Sequence, residues 1–232
     1  TATDRVFRNT GDGRFEEVST RWGLDRPGGS GLGIVAARLS SETPLGRLDL
    51  FIANDTRANF LFRAAASGNG MPSARWDEIA LGRGVALNDS GRAEACMGIA
   101  VGDVDADGRL DLLLANGRTQ RRNSGSRKAR SFWDDYAEPN QIFLSTGNGR
   151  FREFTGDGDP FVSTVEVSRA LAVGDIDNDG DVDAVVTNTA GRARIYLNES
   201  AGPGHWLQVR AVEPTLGGRN AHGAVVTLVT GS

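Results

Sequence analysis

The chain has a single cysteine, so an internal disulfide is excluded. Cys96 has no histidine or arginine beside it in EACMGIAV and reads as a small buried hydrophobe rather than a reactive thiol. Histidine is nearly as scarce: His205 and His222 are the only two, and both read as exposed polar residues near the C-terminus. Of the 26 basic residues only Lys128 is lysine. No apolar run approaches the roughly 18 residues that a membrane helix needs. The N-terminal TATDRVF lacks both an initiator Met and the apolar core of a signal peptide, so the chain reads as one already cut. HExxH, GxSxG, a P-loop and zinc-spaced Cys/His sets are all missing, which leaves no sequence mark of an enzyme. A formal net charge of -4 supplies no field for nucleic acid or anionic lipid, and it supports basic partners no better.

Against these absences stand 232 residues, 39% hydrophobic and 24% charged, enough to build a sizeable core. Short apolar runs are punctuated by Gly, Asn and Asp, and no stretch carries a convincing helical period. The expectation is an all-β chain. In LDLLLAN (110–116) and VDAVVTN (182–188) the strand is almost continuously apolar, which predicts cover on both faces.

Self-comparison organises the rest. GIAVGDVDADGRLDLLLAN (98–116) aligns without a gap on ALAVGDIDNDGDVDAVVTN (170–188). GIVAARLSSETPLGRLDLFIAN (33–54) matches at both ends around a three-residue insertion. A second element recurs between these copies: RVFRNTGDGRFEEVS (5–19), NFLFRAAASGNG (59–70), NQIFLSTGNGRFREF (140–154) and ARIYLNES (193–200). Its aromatic marks, Phe7, Phe62, Phe143 and Tyr196, stand 55, 81 and 53 residues apart, close to the period of a four-stranded blade with one long insertion. The predicted architecture is a β-propeller of four-stranded antiparallel blades. About three full blades are present, so the ring is incomplete and another segment or chain is expected to complete it. Domain boundaries are placed at 1–200 for the blades and 201–232 for a separate C-terminal module. The insertion, 117–139, carries six basic residues followed by Phe132, Trp133 and Tyr136, and reads as a solvated loop or a partner-binding one.

The chemistry lies in the aspartates. Counting from the first Asp of each loop, positions 1, 3, 5 and 9 are Asp103, Asp105, Asp107 and Asp111 in one copy and Asp175, Asp177, Asp179 and Asp183 in the other. Gly108 and Gly180 hold position 6, where the chain must reverse, and the position 7 carbonyls of Arg109 and Asp181 can turn inward. Alternate oxygens around one centre suit a hard cation. Two unit charges about 4 Å apart otherwise repel by roughly 4 kcal/mol at an effective dielectric near 20. Ca²⁺ is the expected ion, because it accepts 6 to 8 oxygens in irregular geometry. An EF-hand is excluded: position 12 is Leu114 or Val186 rather than Glu, and apolar strands stand where helices would flank the loop. In the first copy Arg38 and Ser40 replace the first two aspartates while Gly46 and Asp49 persist, so no strong calcium site is expected there. Asn54, Asn116 and Asn188 close the strands and read as turn formers.

GDVDADGRLDLLLAN and GDIDNDGDVDAVVTN resemble the FG-GAP/VCBS repeats of integrin α-chain propellers and bacterial surface proteins. LFIANDTRANFLFR, ALNDSGRAEACMGIAVGD, YAEPNQIFLSTGNGRF and SRALAVGDIDNDGDVDAVVTN are similar to consecutive segments of the cartilage acidic protein (ASPIC/UnbV) family. GHWLQVRAVEPTLGGRNAHGAVVTLVTG (204–231) resembles the opening of that family's C-terminal module. The resemblance implies a secreted calcium-binding propeller, extracellular, on the cell surface or periplasmic, seven-bladed in the usual members. Its expected role is a non-catalytic adhesion or scaffold module for a protein or glycan partner, with no nucleic acid and no transmembrane segment. The alternative is an accessory propeller of a larger secreted enzyme or multi-protein complex. A glycosidase pair among the aspartates is disfavoured, since a carboxylate held ionised by calcium is a poor proton donor.

Overall fold

A computed structural model describes residues 3–43, 47–66, 72–122, 131–156, 158–200, 209–221, 224–227 and 229. The chain divides into two compact units, Thr1–Gly202 and Pro203–Ser232. Within the first unit, β1 (Phe7–Asn9) and β2 (Phe15–Glu17) form a hairpin, followed by a single helical turn, α1 (Ser19–Trp22). The first large sheet then runs through β3 (Gly31–Ala37), β4 (Asp49–Asn54), β5 (Phe60–Ala66) and β6 (Pro72–Glu78), antiparallel and in chain order. After α2 (Ala80–Arg83) come β7 (Cys96–Gly102), β8 (Asp111–Asn116), a short β9 (Glu138–Pro139), β10 (Gln141–Gly147) and β11 (Arg150–Glu153). Four of these make the second sheet, in the order β7-β8-β10-β11. A third helical turn, α3 (Pro160–Ser163), leads to β12 (Val165–Glu166), which pairs with β9. The third sheet is β13 (Ser168–Gly174), β14 (Asp183–Asn188) and β15 (Arg194–Tyr196). The second unit holds a small hairpin, β16 (Val212–Glu213) with β17 (Arg219–Asn220), around a 3₁₀ turn at Pro214–Leu216.

The chain is thus mostly β, as its glycine-punctuated apolar runs predict, with several antiparallel sheets. Among the described residues no sheet order closes on itself. The expectation of a purely β chain needs one amendment, the helical turns: α1, α2 and α3, with 3₁₀ turns at Phe132–Asp135 and Pro214–Leu216. None has more than four residues, too few to display a 3.6-residue period. Their signal is local instead. Glu17 Oε1 accepts from the Ser19 N–H at 3.0 Å and Glu78 Oε1 from the Ala80 N–H at 2.7 Å, satisfying N–H groups that a helix start leaves open. Gly23 and Gly84 then end each turn at φ of 74° and 81°.

Register repeats from sheet to sheet. Phe62 pairs with Leu50, Phe143 with Leu112, and Tyr196 with Ala184. On their other side Phe62 faces Glu78 and Phe143 faces Glu153, as Phe7 faces Glu17 in the N-terminal hairpin. That hairpin therefore copies the third and fourth strands of the larger sheets.

Alternating side chains pack the sheets against one another. Phe51, Ala53 and Leu61 of the first sheet bury against Cys96, Leu112, Leu114 and Phe143 of the second. Leu113, Ile142 and Leu144 on the second sheet's other face bury against Ala184 and Val186 of the third. The first strands approach most closely, β3 lying on β7 and β7 on β13. Gly98 is required for this, since a Cβ there would stand 2.6 Å from the Arg169 carbonyl oxygen. Cys96 is fully buried in the first of these cores, and desolvation raises its thiol pKa far above the usual range.

Candidate metal centres

The β7–β8 and β13–β14 turns share one backbone path. Ala106 and Asn178 at position 4 take φ of 55° and 64°, and Gly108 and Gly180 at position 6 take 83° and 99°. Two left-handed residues wind each loop so that the first carboxylate points back over it. Asp103 accepts from the Asp107 and Gly108 N–H groups at 3.0 and 2.8 Å, and Asp175 from that of Gly180 at 3.2 Å.

Position 9 ties the turn to the rest of its sheet. Asp111 Oδ2 accepts from Val104 N at 2.9 Å and its Oδ1 from Ser145 N, on β10, at 2.7 Å. Asp183 repeats this with Ile176 N at 2.7 Å and Asn198 N, just beyond β15, at 2.9 Å. Both aspartates are almost completely buried.

Three carboxylates converge in each turn: Asp103, Asp105 and Asp111 in one, and Asp175, Asp177 and Asp183 in the other, with one oxygen from each within 4.8 Å of the other two. Asp105 Oδ1 and Asp175 Oδ1 are buried with no hydrogen-bond partner. An unpartnered buried carboxylate oxygen costs free energy unless something positive meets it. The donor set, all carboxylate oxygen, fits a hard cation. These two clusters could hold a metal ion.

The remaining expected ligands stand outside the two trios. Asp107 Oδ1 accepts from the Arg109 N–H at 2.9 Å, and its other oxygen pairs with the Arg109 guanidinium. Asp179 Oδ1 accepts from the Asp181 N–H at 2.9 Å. Arg109 also reaches the Ser145 carbonyl through Nε at 3.1 Å.

The electrostatics of the trios show their strain. Burial, with the nearby charges of Asp105 and Asp107, pushes Asp111 up to about 6, against the lowering effect of its two backbone N–H donors. Asp105 is raised by desolvation and then by Asp107, and Asp177 by desolvation and then by Asp179.

The first sheet's turn differs. Asp49, at position 9, is fully buried, accepts from the Leu39 N–H at 3.2 Å and Thr43 Oγ1 at 2.6 Å, and is paired with Arg63. Arg38, where Asp103 stands in the second turn, donates to the Thr43 and Ser41 carbonyls at 3.0 and 3.3 Å. Gly46 lies outside the described residues.

Two of the strand-closing asparagines, Asn54 and Asn188, act as turn formers, whereas Asn116 reaches across the insertion instead. Asn54 Oδ1 accepts from Ser30 N at 2.7 Å while its Nδ2 donates to the Ala58 carbonyl at 2.7 Å. Asn116 donates to the Pro139 carbonyl at 2.9 Å, and Asn188 to that of Arg192 at 2.9 Å.

Within the 117–139 insertion, Arg118 and Arg122 pair with the buried Glu138, and Arg121 with Asp135. Phe132, Trp133 and Tyr136 pack on one another. The other three basic residues, Arg127, Lys128 and Arg130, lie outside the described residues, as do His205 and His222. No helix among the described residues is long and apolar enough to cross a membrane.

Sequence reasoning missed two functional features. One is the staple made by Asp111 and Asp183, whose signal is an aspartate at the base of all three copies, including the one that lost the rest, where Asp49 keeps the turn half of it. The other is Arg63, which grips the buried Asp49 and whose signal exists only once the strand register is known.

No protein-family model matches the chain, and no curated protein matches it.

Proposed function

We propose that this chain is a calcium-binding β-propeller segment of the FG-GAP/VCBS kind, acting outside the cell as a non-catalytic scaffold for a protein or glycan partner. The observation that carries the reading is the pair of carboxylate trios with buried, unpartnered oxygens at Asp105 and Asp175. Calcium suits them better than magnesium, because it accepts 6 to 8 oxygens in irregular geometry whereas magnesium holds to a strict octahedron with several waters. Kd values of about 10⁻⁴ to 10⁻³ M are usual for extracellular calcium modules, which is consistent with a site outside the cell.

The propeller reading rests on packing. Ile34 on the first sheet aligns with Ile99 on the second, and Ile99 packs into the interface between those sheets. Ile34 itself is 63% exposed, and so is Ile195 on the far face of the third sheet. Apolar faces of this kind at both ends are what further blades would cover. The calcium role predicts a melting temperature that climbs with calcium concentration and drops on chelation. Superimposable melting curves in calcium and in chelator would remove it.

A further inference from the structure

The three sheets place different residues opposite their position 9 aspartate. Phe62 pairs with Leu50, so the next residue, Arg63, falls across from Asp49. Phe143 pairs with Leu112 and Tyr196 with Ala184, so Leu144 and Leu197 fall across from Asp111 and Asp183. A cation stands at this position only in the sheet whose turn has Arg38 and Ser40 where the others have aspartates.

The contacts follow from that register. Arg63 Nε lies 2.8 Å from Asp49 Oδ1 and its Nη2 lies 3.4 Å from Oδ2, a two-pronged grip on the buried carboxylate. The third nitrogen, Nη1, binds Glu42 Oε2 at 3.0 Å, and Arg83 binds the same oxygen at 2.8 Å. Glu42 holds position 5 of this turn, so two of its carboxylates are neutralised by arginines from β5 and the end of α2. Only 12% of the Arg63 side chain is exposed. The neighbouring sheet makes room for it: a Cβ on Gly149 would stand 2.7 Å from Arg63 Nη2 and 2.8 Å from Ser40 Oγ. Asp49 also keeps the Leu39 N–H bond that corresponds to Val104 and Ile176 in the other turns.

We propose that the Arg63 guanidinium does in the first turn what a divalent ion does in the other two, so that this turn is closed permanently and without metal. The inference rests on the metal reading of the second and third turns. It makes calcium dependence one-sided: removal of the ion loosens residues 103–111 and 175–183 and leaves 38–43 and 47–49 in place. An arginine is always charged and cannot dissociate, whereas an ion leaves by mass action.

Hydrogen exchange on the full 232-residue chain tests this, in millimolar calcium and in excess chelator. In the wild type, peptides spanning 103–111 and 175–183 should exchange at least about tenfold faster in chelator, and those spanning 38–49 should agree within about twofold. Arg63→Leu, which installs the residue type of the other sheets, should speed exchange of 38–49 by about tenfold or more in both buffers, with no rescue by calcium. Arg63→Lys should give a smaller increase, because the charge stays and the fork is lost. The proposal is overturned if calcium slows exchange of 38–49 in the wild type as it does in the other turns, or if Arg63→Leu leaves that exchange unchanged. Should Arg63→Leu fail to fold, the wild-type comparison and Arg63→Lys still decide. Insensitivity of all three turns to calcium would instead defeat the metal reading, and the Arg63 variants would then judge the guanidinium's role by themselves.

Discussion

Asp49 and Asp111 occupy the same register in neighbouring sheets, both fully buried and both bonded to the N–H of the residue that follows position 1. Around Asp49 the positive charge is covalent, supplied by Arg63 from the adjacent strand. Around Asp111 the corresponding residue is Leu144, and two further carboxylates crowd in, one with an unpartnered oxygen. The difference separates two requirements that the repeat otherwise merges. In both sheets a buried aspartate at the base of the hairpin accepts from the turn, whereas its link to the third strand, a guanidinium in one and a backbone N–H in the other, and the source of its neutralising charge can change from one sheet to the next.

The sharpest way to break the comparison is to remove the aspartate where its partner is covalent. Asp49→Ala leaves Arg63 nearly buried beside Glu42 alone, and should cost about 3 to 5 kcal/mol by urea denaturation, equally in calcium and in chelator. A cost that depended on calcium would contradict the account of the first turn.

Sheet contact gives the next effect. Gly98→Ala drives a Cβ into backbone of β13 and should cost about 1 to 3 kcal/mol, whereas Gly33→Ala meets nothing nearer than the Ile99 Cγ2 methyl at 3.0 Å and should cost less. Paired denaturation curves compare them directly.

Loss of a single ion should be milder. At a calcium concentration tenfold above Kd, each site contributes about 1.4 kcal/mol, and the loss on chelation should be the sum over the second and third turns. Asp105→Ala sharpens the point in sign: in chelator it should change stability by no more than about 0.5 kcal/mol, because it removes a crowded, uncompensated charge. In calcium it should lose one site's contribution. Thermal scans in both buffers distinguish the two.

Much of this was readable in the chain. The gapless DxDxDGxxD copies marked both turns, the glycine at position 6 does adopt a left-handed conformation, and the aromatic marks Phe62, Phe143 and Tyr196 share one register. Other features needed three dimensions. That Asp107 turns onto Arg109 rather than joining the trio depends on how a side chain folds back over a turn. Arg63 lies 14 residues from Asp49, and nothing in linear spacing reveals that strand pairing sets them opposite each other. The helical turns α1 and α2 escaped because a glutamate and a glycine, not periodicity, define them.

The central claim is that two separate carboxylate trios each hold one calcium ion. Calcium stoichiometry at millimolar concentration, measured by equilibrium dialysis with elemental analysis on the wild type, Asp105→Ala and Asp177→Ala, tests it most directly. The account predicts two, one and one ions per chain; no bound calcium in the wild type, or a count that neither substitution lowers, would contradict it.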